Sequence, residues 1–231
     1  VIFCLSQLHT GTWTTIAWLA RHDQVKGLML STDVVDVLAG KPTIDQLQES
    51  GSYHQKFHQS MVYHEHVRPD HWSDDQMCRT QLVMAMTNPT VIPIRDPLSS
   101  LISYQNRASL QGREGTEGFL PMEHVIDRWV MMAKVFDILR ENVEFICWDL
   151  INGDPDELCR IALALGITEG QYLGAIINNS MGDYPLKKAY QDGDRESLSQ
   201  QVDGFQCLVD REELLRPFLE RLGYSDLVWW S

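Results

Sequence analysis

The chain has 231 residues, 44% of them hydrophobic, and a formal net charge of −13. That length and apolar content suffice for one substantial core, so a single domain spanning residues 1–231 is expected. The acidic balance argues against general binding to nucleic acid or anionic membranes, and no apolar run approaches the roughly 18 residues of a membrane span.

Short apolar runs alternate with helix-like segments. Val1–Leu5 reads as a buried strand and Thr12–His22 as a helix. Gly27–Leu30, Met61–His66, Thr90–Ile94 and Val143–Trp148 read as further strands, β-rich and bounded by turn residues. Helical patterns cover Asp74–Met86, Leu98–Leu110 and Met122–Arg140. Asp154-Pro155-Asp156-Glu157 supplies an N-cap, a proline at the first helical position and a capping-box acid, for a helix that ends at Gly166. Gln111–Gly118 and Gln191–Gly204 read as polar loops, and the helix near Asp210–Leu222 is expected to kink at Pro217. Strand–helix alternation of this kind predicts an α/β fold, a central parallel sheet flanked by helices.

The five cysteines show no regular spacing, and Cys4, Cys147 and Cys159 sit in apolar surroundings. They read as reduced, core-filling thiols, which together with an opening run too short for a signal peptide predicts a cytoplasmic protein.

Two stretches carry chemistry. In "LSQLHTGTWTT" a strand runs through a loop with one glycine into a helix, a P-loop-like arrangement that aims backbone amides and the helix dipole at one spot. Gly11 allows close approach of an oxyanion, and Thr10, Thr12, Thr14 and Thr15 add hydroxyl donors. The lysine and second glycine of the nucleoside-triphosphatase loop are missing. In "VIPIRDPLSSLISYQNR" Arg95 ends a strand, Asp96 is the N-cap and Pro97 the first helical residue. Ser99, Ser103 and Arg107 follow at four-residue spacing on one helix face. A guanidinium with a serine eight residues on can clamp a second phosphate. Both stretches fall at the carboxyl edge of the sheet, where open parallel sheets bind ligands. Two anion sites there fit a nucleotide phosphorylated at two positions.

At this point the chain resembles sulfotransferases that use 3′-phosphoadenosine 5′-phosphosulfate. Leu8-His9-Thr10-Gly11-Thr12-Trp13 is similar to the family's P-K-S-G-T-T-W run, with His9 in place of the lysine and Trp13 one position early. Arg95-Asp96-Pro97 with Ser103-Tyr104 matches its R-[DN]-P…S-Y motif. Glu144–Leu150, through Pro155 to Leu165-Gly166, resembles its strand, E-D-L and short helix ending in L-G, and Trp129 stands where the family often keeps an aromatic residue. The resemblance implies that His9, Thr10, Gly11, Thr12, Trp13 and Thr14 hold the 5′-phosphosulfate, and that Arg95 and Ser103 hold the 3′-phosphate. Lys187 and Lys188 are candidates to replace a C-terminal basic-glycine motif that is not evident. It implies a base at the end of the strand before the arginine: His66 aligns best, then His64, then Glu65. His9 would donate to the transferring group. Adenosine 3′,5′-bisphosphate is then the product, a small-molecule or glycan-type hydroxyl the acceptor, and no metal is needed.

Two competing readings stand beside it. One is a P-loop-like nucleotide-binding protein or kinase without sulfuryl transfer. The other is a metal-dependent hydrolase, since five of the eight histidines fall between His54 and His71, including His54/His58 at i,i+4 spacing and the His64/His66 pair.

Overall fold

The computed structural model describes residues 2–6, 10–19, 22, 27–29, 61–66, 85–110, 121–141, 143–151, 154–168 and 185–231. Five strands form one sheet: β1 (Ile2–Ser6), β2 (Gly27–Met29), β3 (Met61–His66), β4 (Thr90–Ile94) and β5 (Val143–Cys147). Their order is β2-β3-β1-β4-β5, and every pairing is parallel. This is the α/β architecture expected from the alternation of segments.

The pleat divides the strand side chains between two cores. Ile2, Cys4, Val91 and Ile146 face a layer built by Trp18 and Leu19 of α1 (Thr12–Leu19). Trp148 of the short α4 (Trp148–Ile151) and Leu158 and Ile161 of α5 (Pro155–Ala164) complete that layer. Phe3, Leu5, Ile92 and Ile94 face the opposite layer. There they meet α2 (Pro97–Leu110), α3 (Met122–Leu139) and a C-terminal set of helices: α6 (Pro185–Gln191), α7 (Arg195–Gln201), α8 (Phe205–Asp210) and α9 (Glu212–Arg221). Every residue of β1 and β4 is buried, as strands covered on both faces must be.

The connections fix where a ligand belongs. From β1 the chain passes through α1, on one face, toward β2 on one side. From β4 it passes through α2 and α3, on the other face, to β5 on the other side. The crevice between adjacent strands β1 and β4 is therefore a topological switch point, the place where open α/β sheets bind ligands.

Several segment expectations change at their ends. Thr12–His22 stops at Leu19, and the His22 amide bonds back to the Leu19 carbonyl at 3.1 Å. The strand at Val143 ends at Cys147 because Trp148 already begins a helical turn. Gln191–Gly204 is not a loop: Asp194 caps Arg195–Gln201 by accepting from the Ser197 amide at 3.0 Å, and Leu198 anchors that helix in the core. The last helix, α9, begins at Glu212 and carries Pro217 inside it; Arg211 separates it from α8. Glu157 does not close a capping box. It pairs with Arg160, and the Asp154 amide bonds to the Ile151 carbonyl instead. Asp154 itself caps α5 as expected, and Gly166 ends it at φ +80°, with its own amide on Leu163 and the Ile167 amide on Ala162. Of Asp74–Met86 only the last two residues are described, and Gln111–Gly118 lies outside the described residues.

Cys4 and Cys147 are buried free thiols, both pushed up to about 12 by burial, and Cys159 and Cys207 are also free. No described helix is long and apolar enough to cross a membrane.

Candidate functional site

One contact fixes the turn at Gly11, where α1 begins. Gly11 adopts φ +92°, and a Cβ there would lie 2.6 Å from Cδ1 of Trp148. The turn is closed from within by Thr15, whose amide and Oγ1 both donate to the Gly11 carbonyl, at 2.9 and 3.0 Å. The Trp148 indole in turn donates to Thr15 Oγ1 at 2.7 Å. An aromatic ring from the end of β5 thus braces the loop after β1, two strands away. Thr10 is fully buried and Thr14 half-buried, while Trp13 is described only as helix backbone. The amides of residues 12–14 open α1 and have no carbonyl within the helix to bond. Thr12 Oγ1 is buried without a hydrogen-bond partner among the described residues. An orphaned hydroxyl beside opening amides is a donor set suited to an oxyanion. Gly11 is glycine for a different reason from the one expected: the space its missing side chain leaves is taken by the Trp148 indole and not kept for a ligand.

The turn between β4 and α2 is built the opposite way, around a saturated carboxylate. Asp96 is wholly buried. Its Oδ1 accepts from the Leu98 amide at 3.1 Å, which is the expected N-cap bond, and from the Trp229 indole at 2.8 Å. Its Oδ2 accepts from the Tyr190 hydroxyl at 2.6 Å. The Asp96 amide donates to Asp149 Oδ2 at 2.8 Å, and Tyr224 donates to the other oxygen of Asp149. Burial pushes the Asp96 carboxyl up to about 6, against the pull of the Tyr190 and Trp229 bonds, and the nearby Asp149 adds to the rise. Burial, then the negative Asp96, raises Tyr190 above the usual phenol range; burial, then Asp149, does the same to Tyr224.

Arg95, half-buried, leaves the strand just before this knot. Ser99 and Ser103 lie on the buried side of α2, and Ser99 Oγ has no hydrogen-bond partner among the described residues. Arg107 is described as helix backbone only. α6 carries Lys187, half-buried, and Lys188, exposed, on the helix whose Tyr190 reaches Asp96.

On the other side of β1, β3 ends level with it. His64 pairs in register with Cys4, Glu65 with Leu5 and His66 with Ser6. The backbone of His66 therefore stands at the same sheet edge as the β1 and β4 turns. His9 lies outside the described residues, as do His54, His58 and His71.

Sequence reasoning missed the second half of this arrangement. Asp149 was visible only within a motif, and Tyr190, Tyr224, Trp229 and the indole of Trp148 went unassigned. A set of aromatic residues ending in N–H or O–H, able to serve two aspartates of which Asp96 is buried, is the signal that was available.

No known protein family matches the chain, and no curated protein matches it in sequence. Among solved structures it is similar to a mouse sulfotransferase, SULT7A1, complexed with PAP, at 13% identity and a TM-score of 0.41. That similarity covers 78% of this chain and 60% of the mouse chain, so this chain spans less than two thirds of its length.

Proposed function

We propose that this protein transfers a sulfuryl group from 3′-phosphoadenosine 5′-phosphosulfate to an acceptor hydroxyl. The observation that carries the reading is the adjacency of β1 and β4 at the switch point, with the start of α1 and its unpartnered Thr12 hydroxyl beyond one tip and Arg95 at the next. One adenosine nucleotide with phosphates at both ends suits that pair.

In this reading Thr10, Gly11, Thr12, Trp13 and Thr14 hold the 5′ side, through the opening amides of α1 and the orphaned Thr12 hydroxyl. Arg95 and Ser103 hold the 3′-phosphate, the guanidinium by paired bonds. His66 takes the proton of the acceptor hydroxyl as its oxygen bonds to sulfur and the sulfur–oxygen bond to the 5′-phosphate breaks. His64 and Glu65 are second and third choices for that role. The amides of the turn, with His9, stabilise the charge left on the departing phosphate. Histidine suits the base role because its unperturbed pKa of about 6.5 leaves much of it neutral near pH 7.

The test is calorimetric binding of adenosine 3′,5′-bisphosphate, AMP and ATP to the intact chain and to Arg95→Ala. The intact chain should prefer the bisphosphate by at least about tenfold over AMP, and the variant should lose that preference. Equal binding of all three by the intact chain would sink the reading, and a preference for ATP would favour a kinase or other nucleotide-binding protein.

A further inference from the structure

The Arg95 turn is held from the far end of the chain. Both oxygens of the buried Asp96 are engaged by the C-terminal layer, Oδ1 by Trp229 and Oδ2 by Tyr190. The N–H of the peptide that joins Arg95 to Asp96 is held by Asp149, which Tyr224 holds in turn. The tail bearing Trp229 is itself seated. The Ser231 amide and hydroxyl both reach Glu212 Oε2 at 2.8 Å, Arg216 lies over the Trp230 ring at 4.7 Å, and Arg195 bonds the Trp230 carbonyl. Nothing in anion binding by itself requires such a frame around a strand end.

We propose that Trp229 and Tyr190 are positioning residues for the nucleotide's 3′-phosphate: by fixing Asp96 they set the direction in which Arg95 leaves β4. The inference rests on the nucleotide reading of that turn. Its physical basis is preorganisation. A long, flexible guanidinium binds a phosphate well only when its root is fixed, because otherwise ordering it on binding costs conformational entropy. The Arg95 charge also reaches the Tyr190 phenol, where it works against the rise in pKa that burial causes, so the two side chains share one neighbourhood. The C-terminal helices are on this view part of the nucleotide site, although no residue of theirs need touch the ligand.

The experiment measures affinities for adenosine 3′,5′-bisphosphate and for AMP in the full chain, in Trp229→Phe and in Tyr190→Phe, with thermal melts to confirm folding. In either variant the bisphosphate preference should fall by about tenfold while AMP affinity stays within about twofold of the intact chain. An equal loss for both nucleotides marks a merely structural role and overturns the inference, as does an unchanged preference in folded variants; in both cases the nucleotide reading survives. An intact chain with no bisphosphate preference overturns both. Should Trp229→Phe fail to fold, Tyr190→Phe, which removes one hydroxyl from the opposite carboxylate oxygen, decides the matter alone.

Discussion

The two turns at the crevice handle their polar groups in opposite ways. After β1, the hydroxyl of Thr12 is buried without a partner among the described residues, and the opening amides of α1 have no carbonyl within the helix to bond. After β4, the Asp96 carboxylate and amide make four hydrogen bonds within the protein, directly after Arg95 in the chain. One turn stores unmet hydrogen-bonding capacity and the other stores rigidity. A site for a doubly charged ligand has use for both, because donors confer affinity and a fixed cation confers selectivity between ligands of similar charge.

Substitutions in the saturated turn should cost the most stability. Asp96→Ala strands the Trp229 indole, the Tyr190 hydroxyl and the Leu98 amide without an acceptor, and should lower unfolding free energy by about 4 kcal/mol in urea titrations. Gly11→Ala should follow at about 3 kcal/mol, since the new Cβ meets an indole braced on its far side and the backbone is left-handed there.

Acidity offers a third handle on the contrast. Asp96 has a folded-state value near 6 against an ordinary 3.8, so the native pocket holds its proton more tightly than the unfolded chain does. The resulting contribution is fully present below about pH 4 and is lost as pH rises through about 6. The groups that face it are Asp149 from α4, Tyr190 from α6 and Trp229 from the tail, with Arg95 alongside. Unfolding free energy compared between wild type and Asp96→Asn should show a downward slope over that interval in the wild type alone, amounting to about 2 kcal/mol.

Thr15→Val removes the acceptor of the Trp148 indole and should cost about 1 kcal/mol by the same titration. Thr12→Val is the sharpest case because stability and binding should part company. Its hydroxyl has no described partner, so unfolding free energy should stay within about 0.5 kcal/mol of wild type, while bisphosphate affinity falls about tenfold. A large loss of stability in that variant would mean the first turn is as internally satisfied as the second, and the contrast would collapse.

Much of the fold was legible because its signals are local. Thr90–Ile94 and Met61–His66 were bounded correctly by apolar runs and turn residues, and Asp96 was identified as an N-cap from the proline that follows it. Two positions at the sheet edge were legible: Gly11, where only a glycine fits, although because of Trp148, and Arg95, at the tip of the adjacent strand. The segment from Gln191 to Gly204 misled because polar composition with glycines resembles a loop, whereas a capping Asp194 and one buried leucine were enough to hold a helix against the C-terminal core.

What the sequence alone determined is whatever depends on neighbours in the chain: the strands, the helix starts, the glycine at the first turn and the arginine at the second. What only the tertiary structure decided is who satisfies Asp96. Its partners lie 53, 94 and 133 residues away, beyond the reach of any local pattern. A buried carboxylate must find donors, but which ones it finds is settled when the sheet closes and the C-terminal helices pack against it.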